Sequence, residues 1–523
     1  MPLTVGEIHF GQIDAKNEVF QQDRQGINVF RNSFQIPPGI NVDELIAGSK
    51  FFIAGQKGCG KTALLLHIKE RLDTMGADTT VLLFKSGISE KERQQIASGT
   101  DFKLIEQDGA FKTQYDYELN WLWYIYRNVL RKINKSSVLS GWETAESLQK
   151  LIGVNNELNS FSLTDLQTKS INAGAKAGID AGPFTAEITA DVELVRGQGL
   201  ERTAISIIEI IERYIGNVKL NPRNRKVLIF DELELFWNKA DQRERDLFLI
   251  RDLIKSISRV NRTIGASTAA ILVIAAVRSE VLFEVNRIGP EISRDVDDCG
   301  VRINWNIRAE DLQQPILKIV EAKIKYSELD SDELPSDDPW NIYFPDKIFR
   351  RKTQKYLLDI SMFKPRNIVN LLNLAKDYDR NAGAFNESSL DEAQAEFSKR
   401  TWREIEEELL GQYSSLEVKS IKSILSAFQT RFDFGQIELR ISNLARIDTR
   451  LLYFGNKGAL VELLESLYRV GAIGNDFELK ESGRKTNHRY RWAFRENPDP
   501  ALDRRFVIHE SIRKELQLSF DDT

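Results

Sequence analysis

Residues 51–67 read FFIAGQKGCGKTALLLH, and no other stretch limits so sharply what the chain can fold into. A short apolar run, Phe51 to Ala54, enters Gly55-Gln56-Lys57-Gly58-Cys59-Gly60-Lys61-Thr62, a complete G-x-x-x-x-G-K-[ST] pattern, and helical spacing follows. Backbone N–H groups can curl around a phosphate only where glycines permit close approach and positive φ. A helix opening near Lys61 aims the positive end of its dipole at the same anion. The pattern predicts a buried strand, a phosphate-holding loop and a helix, in that order. Lys61 is placed to reach the β- and γ-phosphates of a nucleotide, and Thr62 to offer its hydroxyl to Mg2+.

A second stretch supplies what that loop needs. Residues 226–237 read KVLIFDELELFW, a strand-length apolar run that ends in Asp231 and Glu232. Such a run suits a buried parallel strand, and open α/β sheets place their ligands at the carboxyl ends of those strands. Asp231 is suited to hold Mg2+ through water, and Glu232 to orient or deprotonate an attacking water. Beside the phosphate loop, the pair predicts ATP hydrolysis. A third apolar strand, Ala270–Val277, ends in Arg278, which reads either as a sensor of the γ-phosphate or as a surface ion-pair residue. Arg287 and Arg294 follow it, and each is a candidate to reach a neighbouring subunit's nucleotide.

Size and composition narrow the class. At 523 residues the chain is too long for one core. Its 42% hydrophobic and 28% charged content is that of soluble globular proteins. The longest apolar run, Ala269–Val277, is too short to span a bilayer, so no membrane is expected. The N-terminal MPLTVGEIHFGQID has neither the basic nor the apolar region of a secretory signal, which predicts a cytoplasmic protein. Two cysteines and four histidines give no disulfide framework and no metal-ligand cluster. A net charge of −5 confines any nucleic-acid surface to a local patch.

Taken in order, residues 1–50 read as a lead-in that packs on the core, with a short helix at 40–46. Thr79–Phe84 reads as a strand and Tyr115–Lys135 as an aromatic-rich helix, better explained by packing on the sheet than by base stacking. From the loop to the acidic strand is about 170 residues, far more than one βαβ unit requires. An insertion is therefore expected at about 136–200, its Lys169–Val195 segment a β-hairpin or loop. Residues 51–308 would then form the α/β core, 309–410 a helical lid, and 411–523 a separate C-terminal domain. Within the lid, Lys364-Pro365-Arg366 opens a helix, and Arg366 is placed to reach back to the nucleotide. The C-terminal domain shows helices at Leu416–Phe428 and Leu460–Val470, a basic strand or hairpin at Arg484–Phe494, and a final helix at Val507–Leu516. Helices followed by a basic hairpin suggest a winged-helix layout. Arg484, Lys485, Arg489 and Arg491 would then meet double-stranded DNA, or else form a solvated face or a wing packed on its own protein.

The order of these signals (Gly55–Thr62, the strand ending in Asp231-Glu232, the strand ending in Arg278, then Lys364-Pro365-Arg366) resembles AAA+ ATPases and the allied STAND NTPases. It is most similar to bacterial P-loop ATPases encoded beside anti-phage defence genes. Phe52–Ala63, Leu467–Asn475 and Ile508-His509 carry that likeness. The resemblance implies a P-loop NTPase (AAA+/STAND-like) α/β core with a helical lid and a winged-helix-like C-terminal domain. It implies ATP and Mg2+ as cofactors, Lys61 and Thr62 on phosphate and metal, Asp231 on the metal and Glu232 as base. Arg278 would be the first sensor residue and Arg366 the second. An arginine as first sensor is more like STAND switches than continuous motors. The expected function is an ATP-hydrolysing switch that controls a protein effector or sensor, with homo-oligomerisation possible. The alternative is a DNA-binding ATPase, a loader or motor that uses the C-terminal domain.

Overall fold

The computed structural model describes residues 2–19, 29–88, 93–94, 96, 102–107, 110–115, 117–152, 200–234, 240–265, 270–288, 291–307, 311–331, 333–410, 412–479, 487–495 and 499–518. They fall into two compact units that do not follow chain order. One contains 40–55 and 64–302; the other contains 1–39, 56–63 and 303–523. The hairpin or loop expected within 169–195 lies outside the described residues.

The first unit is built on a parallel sheet. Its strands are β1 (Phe52–Gly55), β2 (Asp78–Leu83), β3 (Lys226–Leu233), β4 (Ile271–Arg278) and β5 (Gly300–Arg302), in the order β2-β3-β4-β1-β5. β1, β3 and β4 are apolar along most of their length and buried on both faces, as central parallel strands require. Helix α1 (Lys61–Thr74) follows the phosphate loop and returns the chain to β2. Helix α2 (Glu118–Arg131) is the aromatic-rich segment. Trp121 meets Phe230 edge-on at 6.1 Å and donates its indole N–H to the Leu249 carbonyl at 2.8 Å. The aromatics of α2 are core, with no face left for stacking bases.

Residues 138–151, expected within the insertion, are ordered elements of this unit. Val138–Ser140 pairs antiparallel with Lys219–Leu220, and helix α3 (Trp142–Leu151) packs against α2 and α4 (Leu200–Ile215). Helices α5 (Ala240–Val260), α6 (Ser279–Ile288) and α7 (Glu291–Cys299) complete the layer.

The second unit is mainly helical. Within 309–410, the segment expected to be a helical lid, it contains α8 (Leu317–Asp330), α9 (Thr353–Ile360), α10 (Pro365–Tyr378) and α11 (Glu387–Leu409). Residues 2–19 are bound to this segment. Val5 N–H donates to Ala382 O at 2.7 Å, Gly6 N–H to Arg380 O at 2.9 Å, and Lys323 forms a buried ion pair with Glu18. Helix α11 is long enough to serve two bodies. It packs on α10, while Trp402, Ile405 and Leu409 at its far end join the C-terminal hydrophobic core.

That C-terminal core is enclosed by α12 (Ser415–Leu425), β6 (Arg431–Phe432), α13 (Phe434–Ala445), α14 (Lys457–Arg469), β7 (Ile473–Leu479), β8 (Asn487–Arg491) and β9 (Arg505–Ile508). The strands form one sheet in the order β6-β9-β7-β8. The final helix expected at 507–516 is replaced by β9 and a short 3-10 turn, because Arg505–Ile508 is paired on both sides, with β6 and with β7. Among the described residues no helix is long and apolar enough to cross a membrane.

Candidate functional site

At the carboxyl edge of the parallel sheet, β4 lies between β1 and β3. Gly55, where β1 runs into the phosphate loop, is in register with Arg278 at the end of β4. On the other side of β4, Asp231 of β3 is paired with Leu83 of β2. The β3–β4 register shifts between Phe230 and Leu233, and within that irregularity Glu232 takes φ 58. A left-handed conformation is uncommon for a residue with a side chain, and it turns the Glu232 carboxyl out of the regular strand alternation.

Both carboxylates are held. Asp231 is buried, and its Oδ1 accepts the N–H of Glu232 at 2.8 Å. Glu232 Oε2 accepts the Ser86 N–H at 3.0 Å and the Ser86 hydroxyl at 2.5 Å. Ser86 was not singled out from sequence, although it follows β2, the strand directly beside β3, and that adjacency was a usable signal. Arg278 is ion-paired to Glu234, with Glu280 3.9 Å away, and Glu234 also binds Lys85 at 3.0 Å. Arg278 is thus a half-buried cation at the sheet edge, engaged by two carboxylates. Arg287 and Arg294 are exposed and lie 3.9 Å and 3.8 Å from Glu284 and Asp298.

In the other unit, the loop itself has the required backbone. Gly58 and Gly60 take φ of 80 and 100. Lys61 Nζ donates to Gln56 O at 2.8 Å, and Lys61 and Thr62 are half-buried at the start of α1. The loop is also held by residues after 302. Trp305 Nε1 donates to Cys59 O at 2.8 Å, and the Arg366 N–H donates to Gly58 O at 3.4 Å. Lys57, with its side chain only 7% exposed, pairs with Glu407 of α11 at 2.6 Å. Cys59 is buried. The Arg366 guanidinium donates to Ile13 O at 3.2 Å and lies 3.6 Å from Glu404. Trp305, Glu404 and Glu407 are hundreds of positions from the loop, and nothing local in the sequence marks them.

The basic hairpin is β7 and β8. Arg484 and Lys485 lie outside the described residues. Arg489 is exposed opposite Phe477, and Arg491 is half-buried opposite Asn475, beside the buried phenol of Tyr468. Asp476, fully buried, binds His488 Nδ1 at 2.8 Å and Arg431 at 3.4 Å. Arg431 also donates to the Tyr490 hydroxyl at 2.8 Å.

Residues 314–406 match the family model of the FunZ-associated C-terminal helical domain, a match that runs from before α8 into α11 and covers less than half of the chain. No curated protein matches the chain in sequence. Among solved structures, the ORC2 protein of Aeropyrum pernix in its ADP form is 12% identical. The comparison covers 95% of this chain and 96% of that one at a TM-score of 0.28. The same protein in ADPNP–ADP complexes is 13% identical, with 90% and 93% covered and a TM-score of 0.28. A TM-score of 0.28 is too low for this likeness to bear on fold or function.

Proposed function

We propose that the chain binds and hydrolyses ATP with Mg2+ and acts as a nucleotide-dependent switch. One observation carries the reading. A buried parallel strand, β1, runs into a loop whose Gly58 and Gly60 hold positive φ and which opens into α1 at Lys61 and Thr62. That backbone gathers successive N–H groups toward one point, which is what a phosphate needs. Gly55 to Gly60 would line the phosphates, and Lys61 would release Gln56 O to bind the β- and γ-oxygens.

The donors also suit the metal. Thr62 and Asp231 offer hard oxygen ligands, and no cluster of three or more His, Cys, Asp or Glu capable of holding a metal ion occurs among the described residues. Mg2+ takes one or two protein oxygens and completes its shell with phosphates and waters. Thr62 and Asp231 would hold it, and it would neutralise charge on the phosphates. Glu232 is the proposed base, and Ser86, bound to its Oε2, would orient the carboxylate. Arg278 and Arg366 are proposed to report nucleotide state, each by exchanging its present carboxylate partner for a phosphate oxygen.

The partner is proposed to be a protein effector or sensor of a bacterial defence system, with the resemblance of Phe52–Ala63 as support. It must bind the ATP and ADP states unequally, or no signal passes. The test is phosphate release from ATP by the wild type and by E232Q, with and without double-stranded DNA. Mg-dependent turnover that E232Q lowers about hundredfold or more, indifferent to DNA, supports the switch. Strong stimulation by DNA would replace it with the DNA-dependent ATPase, and wild-type protein without turnover would overturn both.

A further inference from the structure

The lid holds a lysine that none of the chemistry above uses. Lys364 immediately precedes α10 and is only 8% exposed. Its side chain runs against the phosphate loop, with Cδ 3.7 Å from where a Cβ on Gly58 would stand. Among the described residues its ammonium has no hydrogen-bond or ion-pair partner. Arg366, two positions on, differs, since its guanidinium is engaged by Ile13 O and Glu404. A lysine so largely withdrawn from water, with no carboxylate beside it, is well placed to gain from an anion that comes to its ammonium.

The position of Lys364 is imposed from outside its helix. Met362 and Phe363, just before it, take φ of 56 and 55, a conformation that bulky residues rarely adopt. Both are buried. Met362 Sδ lies against Gly471, the Phe363 ring is 6.4 Å from Phe494, and the Arg495 guanidinium stands 5.2 Å over Phe363. Lys364 also lies close enough to His509 to bear on its charge. His509, packed between Trp492 and Phe494, is kept neutral well below its ordinary range by burial and then by Arg513, Lys364 and Arg495. The C-terminal domain thus packs against the residues that place Lys364 beside the loop, and among its described residues none forms an ion pair with that lysine.

We propose that Lys364 is a phosphate-binding residue of the lid, contacting the phosphates of the nucleotide held at Gly55–Thr62, in addition to Arg366. This rests on the ATP reading above and deepens it. It also gives the C-terminal domain a hold on nucleotide affinity through the left-handed Met362-Phe363 pair.

The test is titration of the full chain with a fluorescent ATP analogue, using wild type, K364M, K364R and K61A, with melting of each protein checked without nucleotide. K364M is expected to weaken binding about tenfold or more, as loss of a charge-assisted hydrogen bond would. K364R is expected to restore it to within about threefold. Wild-type affinity in a normally melting K364M would overturn the inference and leave the ATP reading standing. Loss of affinity that K364R does not rescue at all would also count against it, as the mark of a packing role. Absence of binding by the wild type would remove both. If K364M melts low, K364Q carries the same comparison.

Discussion

Two stretches carry basic residues in patterns suited to phosphate, the loop at 55–62 and the β7–β8 hairpin, and the structure builds them differently. In the loop, glycines at positive φ shape the backbone, and the cations are partly or wholly withdrawn from water. Lys57 is buried against Glu407, Lys61 is tied to a backbone carbonyl, and Lys364 lies against Gly58. In the hairpin the described arginines stand on an ordinary antiparallel pair. Arg489 is exposed, and Arg491 is half-buried beside Tyr468. Asp476, a buried carboxylate there, already engages His488 and Arg431. A phosphate site is made by fixed N–H groups and desolvated charge, which arginines on a strand surface do not by themselves provide.

The largest effect that would test this contrast is K61A. It is expected to weaken ATP binding about hundredfold or more, since it removes the loop's own charge from the phosphates. Isothermal titration reads it, and near-normal affinity would break the comparison at its strong end. G58A comes next. A Cβ at Gly58 would make only ordinary contacts, 3.5 Å from Arg366 and 3.7 Å from Lys364, so the cost is backbone rather than clash. Holding alanine at φ 80 costs about 1–3 kcal/mol, and affinity should fall about tenfold with little change in melting. If affinity is unchanged, the positive φ is not needed for binding.

E407A should act on stability more than on binding. It leaves a buried ammonium unpaired, but Glu407 is itself 67% exposed, so the expected drop in melting temperature is small, about 1–3 °C. R489A should have the smallest effect. An exposed arginine with no built phosphate site beside it is expected to change DNA affinity less than about threefold in fluorescence anisotropy. A large, salt-dependent loss would show that the hairpin is a true phosphate surface and that the contrast drawn here is false.

Much of the sheet was legible because its demands are local. β1, β3 and β4 are apolar runs punctuated by glycine or charge, as a doubly covered parallel sheet requires. The C-terminal domain was less legible. The stretch between the helices at 416–428 and 460–470 carries no decisive local pattern, yet Phe434–Ala445 folds as α13, with Ile437 and Ile441 in the core. Val507 and Ile508 start a segment with helical spacing and are nonetheless a strand, since β6 and β7 offer a partner on each side. Residues 138–151 looked like insertion only because chain length between motifs does not say which segments return to the core.

The sequence by itself determined the glycine-rich loop between β1 and α1 and the acidic end of β3, since glycine permissiveness and carboxylate placement are properties of a few adjacent residues. Only the tertiary structure decided how those groups are held. Ser86 binds Glu232 from 146 positions away, and Glu407 binds Lys57 from 350. The contact of Lys364 with Gly58 depends on how the C-terminal domain packs beneath Phe363. Such pairings come from the packing of whole elements, and an ammonium or carboxylate carries no mark in the chain of the distant partner that burial will give it.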